Sequence, residues 1–203
     1  MTEKERMLAG EIYDPSDKEL ADRRTLAHKL CKLYNDTFDT EEEKRKEIMD
    51  ELFPTHKAGA YVQGPVYVDY GCFTNIGKNF YANFNLTILD ICPVNIGDDV
   101  LMGPNVSIVT PLHPMCYEER NMRFRPNGEV YDYEYGKPIT IGNNCWIASN
   151  VTIIGGVTIG DGSVIGAGSV VTKDIPAGSL AYGNPCRVIR QITEDDLMHF
   201  VRY

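Results

Sequence analysis

Ile141-Gly-Asn-Asn-Cys-Trp, Ile147-Ala-Ser-Asn-Val-Thr, Ile153-Ile-Gly-Gly-Val-Thr, Ile159-Gly-Asp-Gly-Ser-Val, Ile165-Gly-Ala-Gly-Ser-Val and Val171-Thr-Lys-Asp-Ile-Pro follow one another without a break, each block of six opening on an aliphatic residue. Neither a helix, with a period of about 3.6, nor a flat strand, with a period of about 2, produces that spacing. It is the spacing of a hexapeptide solenoid, in which three short strands make one triangular coil and each coil stacks on the last. The aliphatic residue points into the prism and a small residue usually follows it at the corner. The residue four places on (Cys145, Val151, Val157, Ser163, Ser169 or Ile175) also fits inside.

Upstream the same step of six recurs within three groups: Val62 and Val68; Ile76, Ala82 and Ile88; Ile96, Met102 and Ile108. Between groups the step is eight, so one coil takes 20 residues with two extra at a corner. Residues 111–137 break the register. Their prolines, Asn127-Gly128 and the alternating Tyr131, Tyr133 and Tyr135 read as a long excursion rather than a strand, and long loops in compact domains are often functional. The repeat resumes at Ile139 or Ile141 and runs to about Ile189.

Residues 1–53 have a different grammar. Ser16 followed by Glu19 reads as a capping box, with Leu20, Ala27, Leu30 and Tyr34 on or near one helical face. Asp39 with Glu42 starts a second helix that runs to about Phe53, where Pro54 stops it. A short helix precedes Gly10, and Thr193 with Asp196 caps a short terminal helix. The expectation is a mainly β chain: a helical hairpin cap over 1–55, a parallel β-helix over 56–190 carrying the 111–137 excursion, and a tail over 191–203. Open sheet edges at the two ends of a solenoid need covering, and the hairpin and the tail are the available covers.

With 203 residues, 43% of them hydrophobic, the chain has material for one domain with a core. A net charge of −9 argues against nucleic acid and anionic membrane as partners. The opening Met1-Thr-Glu-Lys-Glu-Arg carries charge where a signal peptide needs an apolar run, and no segment is long enough to span a bilayer. A soluble cytoplasmic protein is expected. Six cysteines (Cys31, Cys72, Cys92, Cys116, Cys145, Cys186) include no C-x-x-C pair and read as buried reduced thiols. Cys72 and Cys92 lie one coil apart, but a cytosolic disulfide is not expected between them.

Of four histidines, His28, His56 and His199 read as solvated bystanders. His113 stands where the coil breaks into the excursion, between Pro111 and Pro114. A metal-dependent β-helix enzyme needs several histidines among its coils. Only His113 lies near them, so no metal set is expected.

These features together resemble the sugar O-acetyltransferases of the hexapeptide-repeat superfamily, the maltose and galactoside acetyltransferase group above all, with the nodulation acetyltransferases as cousins. The likeness is carried by Met7-Leu-Ala-Gly-Glu-Ile-Tyr-Asp14, Asn79-Phe-Tyr-Ala-Asn-Phe-Asn85, Leu89-Asp-Ile-Cys-Pro93, Ile96-Gly-Asp and Thr110-Pro-Leu-His-Pro114. Ile139-Thr-Ile-Gly-Asn-Asn-Cys-Trp-Ile147, Ile165-Gly-Ala-Gly-Ser-Val-Val-Thr-Lys-Asp-Ile-Pro176 and Gly183-Asn-Pro-Cys-Arg-Val-Ile-Arg190 extend it over nearly the whole chain. The resemblance implies a left-handed coil and a homotrimer with acetyl-CoA in the groove between neighbouring prisms.

It also implies roles. A sugar hydroxyl is a poor nucleophile at neutral pH, and an imidazole with an ordinary pKa of about 6.5 can take its proton during attack on a thioester; the matching position makes His113 that base. Asn83 matches a residue that organises the transition state, where an oxyanion needs donors, although an asparagine at a coil corner can also simply satisfy backbone groups. Ser149, Ala167, Thr172, Lys173, Arg187 and Arg190 match coenzyme-binding positions, the cations suiting the coenzyme's phosphates. Asp14, Asp69, Tyr81, Asn83 and Asp90 match or lie near acceptor positions, whose carboxylates and amides suit paired hydroxyls. Apart from the resemblance, Glu129 and Glu134 are the excursion's candidates for orienting His113, and the sequence by itself leaves open which of them, if either, does so. The charged run Glu118 to Arg125 reads as a solvated face or a set of tethers, and Trp146 as wall packing by default or as a contact for the coenzyme. Galactoside enzymes carry a second acid where Ile91 stands and a serine where Asp69 stands, so the Leu-Asp-Ile-Cys-Pro segment points to a maltose or glucose acceptor. Alternatives are an acyltransferase with a non-sugar acceptor and a non-catalytic trimeric scaffold.

Overall fold

Each aliphatic opener of the repeat is buried in the computed structural model, which describes residues 1–199: Ile147, Ile153, Ile159, Ile165 and Val171 are 0% exposed and Ile141 1%. Burial of such a side chain is worth about 1.5–3 kcal/mol. The residues four places on are inside as well, including the hydroxyls Ser163 and Ser169. Ser163 Oγ donates to Pro176 O at 3.0 Å, so the polar group is satisfied.

The strands form three faces of a prism. The first face stacks Tyr61–Val62, Tyr81–Ala82, Leu101–Met102, Trp146–Ile147, Val164–Ile165 and Ser179–Tyr182 in parallel, with Arg187–Gln191 added antiparallel at the end. The second face stacks Val66–Val68, Leu86–Leu89, Ser107–Val109, Thr152–Ile154 and Val170–Val171. The third stacks Thr74–Ile76, Val94–Ile96, Ile139–Ile141 and Thr158–Ile159. Rungs separated by one coil differ by 20 residues before the excursion (Asn75 to Asn95), 45 across it (Asn105 to Asn150) and 18 after it (Asn143 to Asp161).

The corners explain the small and amide residues. Asn85, Asn105 and Asn150 occupy one corner at φ of 61°, 60° and 58°, a region that Asn tolerates better than most L residues. Their side chains stack: Asn85 Nδ2 donates to Asn105 Oδ1 at 2.9 Å, and Asn105 Nδ2 to Asn150 Oδ1 at 3.1 Å. Glycine is required where coils touch; a Cβ at Gly77 would lie 2.2 Å from Gly97 O.

Three helices cover the N-terminal end: α1 (Glu3–Leu8), α2 (Lys18–Asn35) and α3 (Glu42–Leu52). Their side chains stand in for the coil that is missing there. Asn35 exchanges two bonds with the Val66 backbone (2.8 and 2.9 Å), and Tyr34 Oη donates to Val62 O at 2.5 Å. Arg45, 6% exposed, donates to Val62 O, Gln63 O and Tyr34 Oη at 2.7, 3.1 and 3.0 Å.

Several local expectations are corrected. The cap of α2 is Asp17, which accepts from Glu19 N and Leu20 N, because Ser16 is drawn back to Asp14 Oδ1 through both its N and its Oγ. The cap position of α3 is Glu41, and Asp39 pairs instead with Arg45 at 3.0 Å. The excursion is not structureless: Pro111–Leu112 pairs antiparallel with Tyr135–Gly136, and Arg123–Phe124 with Val130–Tyr131, after a one-turn helix at Tyr117–Arg120. Cys116 is exposed and Cys72 half-buried, so the thiols are not uniformly inside. Trp146 is 53% exposed rather than packed into a wall. His56 is no bystander, since its Nε2 meets Asp50 at 2.7 Å. The tail ends in a short 3-10 helix, Glu194–Asp196, with the Thr193 capping box formed, and residues 200–203 of the tail lie outside the described residues. Among the described residues no helix is long and apolar enough to cross a membrane.

The amide ladder yields a measurable expectation. Asn105→Ala meets a φ that alanine resists by about 1–2 kcal/mol and loses two amide bonds, whereas Asn105→Gly loses only the bonds. Urea denaturation is expected to place the Gly variant about 1 kcal/mol above the Ala variant; equal losses would show that the corner conformation carries no energetic weight.

Candidate active site

The corner between the second and third faces carries one group of candidate residues. Asp90 sits there at 0% exposure. Its Oδ1 accepts from Tyr70 N and Gly71 N at 2.8 and 3.1 Å, its Oδ2 from Phe73 N and Thr74 Oγ1 at 3.3 and 3.0 Å. Burial pushes the carboxyl up to about 6, while these donors favour its charged form. Asp90 thus departs from the acceptor role expected of it: its oxygens are committed to the 70–74 turn. That turn presents Asp69, half-buried, whose carboxyl is raised by burial and lowered by Arg24 and His28.

His113 follows directly on Pro111–Leu112. In that ladder Leu112 faces Tyr135 and Pro111 faces Gly136, so the next residues outward, His113 and Glu134, come together. His113 Nε2 lies 3.7 Å from Glu134 Oε1, with the two side chains 44% and 16% exposed. Tyr13, 1% exposed, donates its hydroxyl to Glu134 Oε2 and forms an antiparallel bridge with it, Tyr13 N to Glu134 O at 3.0 Å. Burial raises the Glu134 carboxyl above its ordinary range, and Tyr13 and His113 oppose that. Glu129, the other candidate partner, is 69% exposed and lies 3.8 Å from Arg125. Arg125 also reaches back to Asp14, so the charged run does tether the excursion to the N-terminal segment.

A second group occupies the corner between the first and second faces. Asn83 is half-buried; its Oδ1 accepts from Phe84 N at 2.8 Å, as a corner residue's would, while its Nδ2 has no partner among the described residues. Tyr81 stacks on Tyr61 with ring centroids 6.1 Å apart. Ser149 and Ala167 follow at the same corner in later coils, joined by Gly168 N to Ser149 O at 2.9 Å. Thr172 and Lys173, by contrast, follow Val170–Val171 and return to the first group's corner. Arg187 is exposed on the last strand, and Arg190 is paired with Asp196 at 2.6 Å.

One chain therefore does not bring all the candidates together. Asn83 and Asp90 flank the strand Leu86–Leu89, and at about 3.3 Å per residue the two corners stand on the order of 15–20 Å apart. Tyr13 is the participant that sequence reasoning missed, since it reads there only as part of an N-terminal motif. An exposed imidazole backed by a mostly buried carboxylate is equipped to take up a proton and hold the resulting charge.

Residues 6–57 match the maltose acetyltransferase hexapeptide capping motif, and residues 138–173 match the bacterial transferase hexapeptide family of six repeats. The chain is 46% identical over 198 residues to the galactoside O-acetyltransferase of Escherichia coli K12, covering 98% of this chain and 93% of that protein. A galactoside acetyltransferase solved in complex with coenzyme A superposes with a TM-score of 0.88 at 46% identity, covering 100% of this chain and 98% of that one. A maltose O-acetyltransferase from Clostridium difficile 630 gives 0.80 at 44% identity, covering 96% and 99%. A hexapeptide-repeat acetyltransferase from Vibrio cholerae, complexed with acetyl coenzyme A, gives 0.80 at 35% identity, covering 96% and 100%. With its coils, its helical cap and its excursion all matched along the full length, the chain belongs to the galactoside and maltose O-acetyltransferase family of hexapeptide-repeat proteins.

Proposed function

We propose that this protein transfers the acetyl group of acetyl-CoA to a hydroxyl of a small sugar, of the maltose or glucose type, by direct attack with His113 as general base. The observation that carries the reading is His113 itself: exposed at the root of the excursion, 3.7 Å from Glu134 and at the corner that presents Asp69. His113 takes the hydroxyl proton and Asn83, whose Nδ2 has no partner among the described residues, donates to the developing oxyanion. No acetyl-enzyme is needed. Asp69, Tyr81, Asn83 and Asp14 bind the acceptor, and Asp90 contributes by holding the turn that aims Asp69.

The residues present fit the coenzyme. Gly168 has open space where a Cβ would stand, and Ala167 beside it is exposed, which leaves room for a pantetheine arm near Ser149. Lys173 and Arg187 have no carboxylate partner among the described residues and are free for phosphates, with Thr172 beside them. Arg190, held by Asp196, would join only if that pair opened.

The reading requires a homotrimer. His113 and Asn83 stand at different corners of one prism, so a shared site forms when one copy's His113 corner meets the next copy's Asn83 corner. A head-to-tail contact of that kind closes into a ring of three if its rotation does. The faces support it. Outward residues of the third face are polar (Asn75, Asn95, Thr140, Thr158), whereas the first face shows Tyr61, Tyr81, Leu101 and Trp146, with Leu101 51% and Trp146 53% exposed. An apolar ladder of this kind marks an interaction site.

Three outcomes test this. Free-thiol release from acetyl-CoA should depend on the acceptor across a panel of mono- and disaccharides, strongest with glucose or maltose; release only with non-sugar hydroxyls would keep the transferase and discard the sugar. His113→Ala should lower kcat by about 10²–10⁴-fold with coenzyme binding kept, and retained activity would sink the base assignment. Co-expressing the inactive His113→Ala and Asn83→Ala chains should restore about a quarter of the activity, because random mixing gives that share of sites both intact residues. No restoration would count against a site shared between copies.

A further inference from the structure

The first group of site residues contains a pair that the transfer reaction does not require by itself, the buried Tyr13 and the half-buried Glu134. We propose that Glu134, fastened by the Tyr13 hydroxyl, is the positioning residue for His113: it holds the imidazole at the root of the excursion and stabilises the imidazolium formed when the base takes its proton. This rests on the reading of His113 as the base.

The geometry divides the carboxylate cleanly. Oε1 faces His113 Nε2 at 3.7 Å and Oε2 accepts from Tyr13 Oη. Two backbone bonds, Tyr13 N to Glu134 O at 3.0 Å and Glu134 N to Tyr13 O at 3.3 Å, fix the segment from which the side chain projects. Tyr13 in turn is locked in a small core with Met7, Leu20, Tyr70 and Ile91. The carboxylate is therefore held from its far side by a group that has no freedom to move. At 3.7 Å the link to the imidazole is ionic rather than a hydrogen bond, so it acts through charge whichever ring nitrogen takes the proton.

The charge on Glu134 is itself arranged. The groups facing it are Tyr13, His113, Asp69, Asp132, Tyr70 and Cys92. Burial, Asp69 and Asp132 push its carboxyl up, while the Tyr13 hydroxyl and His113 bring it down. Tyr13, whose own hydroxyl is pushed far up by burial and by Glu134, remains a donor throughout the working range. Removing that donor should push the Glu134 carboxyl further up and weaken its hold on His113.

The test is an NMR titration of His113, assigned among four histidines, read beside the pH profile of kcat/KM in wild type, Glu134→Gln and Tyr13→Phe. Glu134→Gln is expected to lower the His113 midpoint, as loss of a nearby opposite charge does. The acidic limb of kcat/KM should move down in pH by a similar amount. The same variant should lose kcat by about ten- to a hundredfold, within the scale of base catalysis, with the KM for acetyl-CoA unchanged. Tyr13→Phe should show a smaller loss, because Glu134 without that donor gives up its charge more readily; it carries the test if Glu134→Gln does not fold. A carboxylate with only a structural duty would leave both the His113 midpoint and the limb where they are, and that result would overturn the proposal. An inactive His113→Ala with an unmoved His113 midpoint in Glu134→Gln overturns this proposal alone, whereas an active His113→Ala overturns the base assignment and this proposal with it.

Discussion

Corner residues that accept a positive φ, and whose amides bond to the same residue one coil away, are the constraint on which the prism depends. Asn85, Asn105 and Asn150 turn the chain at one corner while their side chains form a continuous ladder parallel to the stack. Because the chain must turn so often, no strand on the three faces before the last coil exceeds four residues. Side chains between corners alternate in and out, so the interior is filled by two inward residues per side and the outside is a set of flat rungs. A flat rung has no depth. Chemistry on such a body must sit at corners, or on whatever departs from the register.

Both ends of the stack impose a second requirement, since an uncovered coil exposes a row of backbone donors and acceptors. At the N-terminal end the cover is made by side chains. Asn35, Tyr34 and Arg45 reach the backbone of the first coil at the positions a preceding rung would occupy. Burying the Arg45 guanidinium is tolerable because its Nη atoms are bonded to carbonyls, Tyr34 and Asp39, and it stacks 4.5 Å from the Tyr34 ring centroid. The cap also supplies Tyr13 and Asp14, so the element that ends the sheet is the element that fastens the excursion.

The excursion is where the prism acquires depth. Its two ends pair with each other, which places Glu134 opposite His113, and Arg125 ties its far part to Asp14. Half of the candidate site is gathered by these contacts. The other half, around Asn83 and Ser149, lies one face away on a corner that the same chain cannot fold over.

The six-residue step, the 20-residue coil, the position of the break and the small-residue corners were legible because they are periodic, and periodicity is a local property of the chain. His113 stood out as a candidate because it falls where the period fails and matches the base position of the family it resembles. Caps were less so: Ser16 and Asp17 are equally good cap residues on paper, and the competing bond from Ser16 to Asp14 decided between them. Asp90 reads as a polar group available to a substrate, yet three N–H groups and a hydroxyl from the adjacent coil consume it. The pairing of Tyr13 with Glu134, 121 residues apart, has no signature in spacing at all. What the sequence determined by itself is the solenoid and the chemical types it carries, because each coil repeats the same local balance of burial and turn. What only the tertiary structure decided is which of those groups face one another, because contacts across the excursion, the cap and the corners are set by packing between distant segments.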